Sequence, residues 1–188
     1  MILGDKVRLR AIEREDIPTF VRWFNDPEVR QYLTMYGPMS QAAEEQWFER
    51  QLKAEDRFLY AIETIEGVHI GNIGLDSVDW RNRQGTMGIV IGEKSYWGLG
   101  YGSDAILTLL DFAFDTLNLH CVSLHVFDFN ERAKRAYGKC GFVEEGRLRE
   151  RLFHAGSYHD ILVMSVLREA HRRGQDRRQA DEAVDREQ

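Results

Sequence analysis

Three glycines fall within five positions, Gly98, Gly100 and Gly102, in the stretch Tyr96-Trp97-Gly98-Leu99-Gly100-Tyr101-Gly102-Ser103-Asp104-Ala105. A long segment of helical periodicity follows at once. Ordered glycine costs conformational entropy, so a cluster needs a compensating use. One use is a tight turn with positive φ. The other is a cradle of backbone N–H groups for phosphate, set at the positive end of a helix dipole.

The periodicity around this junction predicts the remaining elements. Lys6–Ile12 alternates like a strand. Ile17, Phe20, Val21 and Phe24 then recur at helical spacing, with Asp16 as the expected cap, Pro18 in the first turn and Asn25-Asp26-Pro27 as the stop. Gly37-Pro38 and Ser40 open a second helix. Phe58–Thr64, Val68–Val78 and Gln84–Gly92 read as three strands separated by turns, an antiparallel meander. Beyond the glycines, Ile106, Leu109, Leu110, Ala113 and Leu117 form one stripe of a helix ending near Asn118. Cys121–Phe127 is a strand, Asn130–Cys140 a helix and Gly141 its left-handed stop. "FVEEG", "RLRERLF" and "SYHDILVMSVL" close the chain as strands, with Ala155-Gly156 as a turn. The order predicts an α/β (α+β) domain with a mixed, mostly antiparallel sheet flanked by helices.

That domain is expected to span residues 1–167. Residues 168–188 hold six Arg against six Asp or Glu, with only alanines and Val184 as apolar residues. Such a tail has no face to bury and is expected as a solvated helix or a disordered end. It is neutral, so the net charge of −6 lies on the body and argues against a nucleic-acid partner. The apolar runs are too short to span a bilayer, and "MILGDKVRLR" lacks the apolar core of a signal peptide. Cys121 and Cys140 sit inside periodic segments and suit buried thiols in a reducing compartment, with no metal pattern around them. The expected location is the cytoplasm.

The glycines do not make a P-loop, because no lysine follows them. Gly98 and Gly100 fit the start of a dinucleotide fingerprint and Asp128 stands where a ribose-binding acid would. Ser103 occupies the third glycine's place, however, and a meander is the wrong home. The stretch Trp97-Gly98-Leu99-Gly100-Tyr101-Gly102 resembles the pyrophosphate loop of the GNAT superfamily of acetyl-coenzyme A-dependent N-acetyltransferases. The family's second motif also stands here, as Asn130-Glu131-Arg132-Ala133-Lys134-Arg135-Ala136-Tyr137 followed by Gly141-Phe142. The resemblance covers about Val7 to Leu167 and is closest to the ribosomal-protein N-terminal and spermidine acetyltransferases. Trp97 departs from the usual Gln/Arg and removes one side chain that could touch a phosphate.

The resemblance implies acetyl-CoA as co-substrate, a primary amine as acceptor, direct transfer, no metal, and a fourth strand splayed from its neighbour. Backbone N–H groups from Leu99 through Tyr101 and Gly102 to Ser103 would hold the pyrophosphate, and Ile89-Val90-Ile91 would pair with the pantetheine arm. Asn130 is first a good N-cap and, with the family, a partner of the arm. Lys134 is a phosphate candidate or a solvated lysine. Tyr137 would protonate the departing thiolate, with a packed core tyrosine as the plain alternative. For a base, Glu93 leads, with Asp76 and Asp79 behind it. The loop from Arg30 to Ser40 carries no acid, which counts against a polyamine and leaves peptide N-termini or small amines. A non-catalytic coenzyme A-binding module, a nicotinamide oxidoreductase and a homodimer remain open at this point.

Overall fold

Alternating burial makes Val7–Ala11 a strand, β2, whose Val7 and Leu9 are fully buried. In the computed structural model, which describes residues 1–176, it lies second in one eight-stranded sheet. Its neighbours are a two-residue strand β1 (Ile2–Leu3) and β3 (Phe58–Thr64). The meander continues through β4 (His69–Asp79) and β5 (Gln84–Ile91). Then come β6 (Cys121–Phe127), β8 (Ser157–Leu167) and the edge strand β7 (Val143–His154). "FVEEG" and "RLRERLF" thus join into one long strand. Its register slips near Gly146 and again between Leu148 and Leu152, where Glu150 takes a φ of 52°.

All pairs are antiparallel except β5 with β6. That parallel ladder covers only Gln84–Thr86 against Cys121–Ser123. β5 then runs on to Ile91 bound to β4 alone, while β6 runs on to Phe127 bound to β8. The two strands diverge into a V. This is the expected splay, carried by the fifth strand once β1 is counted.

Helix α1 (Ile17–Asn25) buries Ile17, Phe20, Trp23 and Phe24. Asp16 does not cap it. The Asp16 carboxylate instead takes two bonds of 2.7 Å from Arg10 and one of 2.9 Å from the Glu13 N–H, with His69 Nδ1 at 3.2 Å. A buried acid beside a cation is stabilised more by pairing than by a single cap bond. Asp26 caps a short helix α2 (Pro27–Arg30), absent from the periodicity, and Ser40 caps α3 (Gln41–Gln51) through the Ala43 N–H. α4 (Tyr101–Asp111) lays Ala105, Ile106, Leu109 and Leu110 on the sheet. A π turn over Phe112–Thr116 then buries Phe114, so Leu117 is only half-buried. α5 (Glu131–Lys139) begins on its cap Asn130 and stops at Gly141, φ 93°.

The tail departs from expectation. Residues 168–176 are helical and docked. His171 is 3% exposed, packs on the Phe114 ring at 5.4 Å and places Nε2 2.5 Å from Asp111 Oδ1. Ala170 packs on the core, Gln175 reaches Asp111 at 2.6 Å and Arg172 reaches Asp115 at 3.1 Å. A buried histidine, with Ala170, anchors a segment that has no apolar stripe. Residues 177–188 of the expected tail lie outside the described residues.

Replacing His171 by Ala removes a buried hydrogen bond worth about 1–3 kcal/mol. The expected fall in melting temperature is roughly 3–10 °C for a chain of this size. Calorimetry of H171A, and of a chain ending at Leu167, measures it. An unchanged melting temperature would mean the helix is not docked in solution.

Candidate active site

The V between β5 and β6 sets the chemistry of the site. Gly92 donates its N–H to the Ile70 carbonyl at 2.9 Å, which fixes the alternation along β5. Residues two apart share a direction, so Val90 turns its backbone to β4 while Ile89 and Ile91 turn theirs into the V. Val90 packs its side chain against the α1 cluster. Two of the three residues expected to face the coenzyme arm therefore offer it backbone groups, and Val90 does not. One of those groups is already taken, because Trp97 Nε1 donates to the Ile91 carbonyl at 2.7 Å.

The glycine loop closes the open end of β5. Gly98 and Gly100 have φ of 76° and 89°, so both need the left-handed region. Gly100 caps α4 and its carbonyl takes the Asp104 N–H at 3.0 Å. The N–H groups of Tyr101, Gly102 and Ser103 precede that first bond and have no intrahelical partner. Gly102 differs from the other two. A Cβ there would meet only Ile91 Cγ1 at 3.5 Å, an ordinary contact. Neither the backbone nor the packing demands glycine at 102. Open N–H groups with a bare approach are what a pyrophosphate requires.

A cation that the sequence did not suggest stands here. Lys6 Nζ binds the Leu99 carbonyl at 3.1 Å and lies 5.7 Å from the centre of the Tyr101 ring. Asp104, the first-turn acid, is engaged elsewhere, accepting the N–H groups of Asp5, Lys6 and Val7 at 3.2, 2.8 and 2.9 Å.

Across the V, Asn130 Oδ1 caps α5 through the Ala133 N–H at 3.2 Å, which leaves its Nδ2 as a donor for a ligand. Lys134 is no phosphate ligand in this geometry. Its ammonium binds the Asp128 carbonyl at 2.7 Å and Glu131 at 2.6 Å. Tyr137 is 9% exposed, with its ring 5.9 Å from Phe142. Burial, with Cys140 as a lesser cause, pushes its phenol up to about 12.

Glu93 is likewise committed. Its carboxylate binds the Arg22 guanidinium and takes the Trp23 indole N–H at 2.9 Å. The Arg22 bond, helped by Trp23, holds it below the usual carboxylate range, against the task of accepting a proton at neutral pH. Asp79 binds Asn82 at 2.9 and 2.7 Å in the β4–β5 turn, and Asp76 faces Arg57 at 3.4 Å. That turn precedes Gln84, five residues from Ile89, or roughly 17 Å along the strand. The geometry does not bring these three acids to the open V as a base.

Residues 6–143 match the family described as "Acetyltransferase (GNAT) domain". The chain belongs to the GNAT acetyltransferase family. The spermidine N(1)-acetyltransferase of Vibrio cholerae is 31% identical, over 88% of this chain and 95% of that protein. The SPbeta prophage-derived uncharacterized N-acetyltransferase YokL of Bacillus subtilis is also 31% identical, over 88% of this chain and 92% of its own. A crystal structure of the Vibrio cholerae enzyme in complex with CoA and spermine superposes with a TM-score of 0.84. It is 28% identical and covers 89% of this chain and 99% of that one.

The protein is thus an acetyl-CoA-dependent N-acetyltransferase, and both the coenzyme A-binding module and the oxidoreductase fall away. The site fits the co-substrate on its own terms. Unpaired N–H groups begin α4, a half-paired strand borders the V, and Gly102 keeps the approach bare without a structural need for glycine. Among the described residues no His, Cys, Asp and Glu group could hold a metal ion. None of the described helices is long and apolar enough to cross a membrane.

Gly102→Ala separates ligand from fold. Alanine improves a helical position by roughly 0.5–1 kcal/mol, and at this half-buried site a Cβ has room, so the melting temperature should hold or rise. Acetyl-CoA affinity by calorimetry should fall at least about tenfold, or ~1.4 kcal/mol. Unchanged affinity would remove Gly102 from the cradle.

Proposed function

We propose that this enzyme acetylates a primary amine set among apolar groups, such as a peptide amino terminus, rather than a polyamine. The observation that carries this is a groove of about 270 Å³ between α2 with its following loop and the β7–β8 hairpin. Leu33, Met35, Tyr36, Leu152 and Phe153 line it, with Arg30 and His154 as its charged or titratable groups and no carboxylate. A polycation is bound by acids, and this groove would repel one at Arg30. Apolar walls with few polar groups suit a side chain beside the reacting amine.

The transfer is direct. Cys140 is buried with its thiol on the Ser103 carbonyl, and burial pushes the Cys121 thiol up, so neither is an activated nucleophile. Backbone N–H groups of Tyr101, Gly102 and Ser103 bind the pyrophosphate, and the N–H groups of Ile89 and Ile91 hold the arm and polarise the thioester carbonyl. Asn130 steadies the arm from the other strand. Tyr137 gives its proton to the departing sulfur. A phenol at about 12 keeps its proton at neutral pH but gives it up reluctantly. Donation to a thiolate whose acid has a pKa near ~8.5 must therefore accompany C–S cleavage rather than precede it.

Tyr137→Phe keeps the ring and its packing. For so weak an acid the expected loss in kcat lies near the low end of general-acid effects, about 10²-fold, with melting temperature and acetyl-CoA affinity unchanged. Wild-type turnover would make Tyr137 a core aromatic only.

The acceptor is tested by thiol release from acetyl-CoA over peptides of varied first residue, small amines and spermidine. Peptides with an apolar first residue should exceed spermidine in kcat/KM by at least about tenfold, the ~1.4 kcal/mol that one well-filled apolar contact supplies. Preference for spermidine would refute the reading.

A further inference from the structure

The reaction needs a proton acceptor, because an aliphatic amine is mostly an ammonium at neutral pH and only its neutral form attacks a thioester. Glu93, Asp76 and Asp79 are committed elsewhere. One carboxylate–imidazole pair joins the end of β6 to His154 of the groove. β6 ends at Phe127, and the next residue, Asp128, lies at the open end of the splay, two residues before the α5 cap. Asp128 Oδ2 takes the Asp160 N–H at 3.1 Å. Its other oxygen, Oδ1, is buried without a hydrogen bond and faces His159 Nδ1 at 3.4 Å. A buried carboxylate oxygen left in this state is costly unless it serves a purpose.

The ring of His159 also packs edge to face on Phe129 at 4.9 Å. His154, which lines the groove, stacks on the same Phe129 at 5.3 Å and lies 6.3 Å from His159. With Nδ1 turned to Asp128, the free nitrogen is Nε2. His159 keeps 28% of its side chain exposed, enough to meet a substrate and to hand a proton to water.

We propose that His159 is the base that deprotonates the acceptor amine, and that Asp128 is the positioning residue that fixes its tautomer and orientation. The pair resembles other carboxylate–imidazole arrangements in function, with the acid orienting the ring and stabilising the imidazolium that forms. The steps balance. Nε2 takes one proton from R–NH3+ and passes it to solvent. The freed lone pair forms the C–N bond, and the electron pair of the breaking C–S bond goes to sulfur. Sulfur takes the proton of Tyr137, and the second proton shed by nitrogen returns through water to the phenolate. The proposal rests on the groove being the acceptor's entrance.

Steady-state kinetics of the full-length protein, with acetyl-CoA and whichever amine the panel shows to be best, test it. His159→Gln should lower kcat at least about 10²-fold, the usual worth of a positioned base, with acetyl-CoA affinity by calorimetry within about twofold. Added imidazole should restore His159→Ala at least about tenfold. Asp128→Asn should lower kcat alone and add little on top of His159→Ala, as expected of groups acting as a unit. Should a variant melt early, the imidazole response decides, because a folding defect shows none. Turnover of His159→Gln within about threefold of wild type, or a loss that imidazole does not answer, overturns the proposal. A wild-type preference for spermidine overturns the groove reading instead, and the dyad is then tested with spermidine as acceptor.

Discussion

Past Thr86 the strand β5 is bonded on one side only, and everything the site does depends on keeping it in place there. A half-paired strand tends to fray or to find another partner. Here α1 props its end. The Trp23 indole lies so close to Gly92 that a Cβ would stand 2.0 Å from the ring, so only glycine lets α1 approach. The same indole donates to Glu93, which Arg22 also binds. Gly71 on β4 plays the matching part, because a Cβ there would stand 2.1 Å from the Val90 carbonyl. Beneath Trp23 lies His69, 4.9 Å away, joined to the Asp16–Arg10–Glu63 network. Glu93 is therefore spent on geometry, and its bonds to Arg22 and Trp23 oppose its use as a base.

The two ends of the V are built differently. At the end proposed for the coenzyme the groups are backbone N–H, with Lys6 as a nearby cation and the local acids tied up. Asp104 is turned to the β1–β2 turn, and Glu131 neutralises Lys134. At the groove proposed for the acceptor the walls come from the loop after α2 and from the tip of the β7–β8 hairpin, on the edge strand of the sheet. Loops on a rigid scaffold change faster than the scaffold. A chain can share 28% identity and a TM-score of 0.84 with a spermidine acetyltransferase and still present a groove without a carboxylate. Fold carries the coenzyme chemistry here, and the acceptor must be argued from the groove itself.

Local order was legible and distant pairing was not. Phe58–Thr64, Cys121–Phe127 and Ser157–Leu167 fall where alternation and turn residues place them. The glycine loop was legible for the same reason, since φ and N–H exposure are properties of adjacent residues. Asp16 was misjudged because Arg10 and His69 lie on other elements. Lys6 escaped notice because its partner Leu99 is 93 positions away, and Glu93 looked free because Trp23 is 70 positions away. The tail misled for a subtler reason. Its burial comes from one histidine reaching an acid across 60 residues, and hydropathy counts no apolar face there.

Trp97 shows how such a distant pairing changes the meaning of a motif. Compared with the family pattern, a tryptophan at this position reads as the loss of a phosphate-touching group. In the fold its N–H closes on the Ile91 carbonyl, tying the loop to the end of the half-paired strand. Its ring face carries the guanidinium of Arg132, from α5 on the other arm of the V, at 3.8 Å, and Tyr32 flanks the same guanidinium at 5.3 Å. A cation over an indole is worth roughly 0.5–2 kcal/mol, more as water is excluded. Arg132 is thus held by two aromatic faces, Trp97 and Tyr32. Position 97 therefore serves as a packing platform for a cation from α5. The contact also bridges the two strands whose separation creates the site, so one aromatic side chain joins the glycine loop, the free strand and α5.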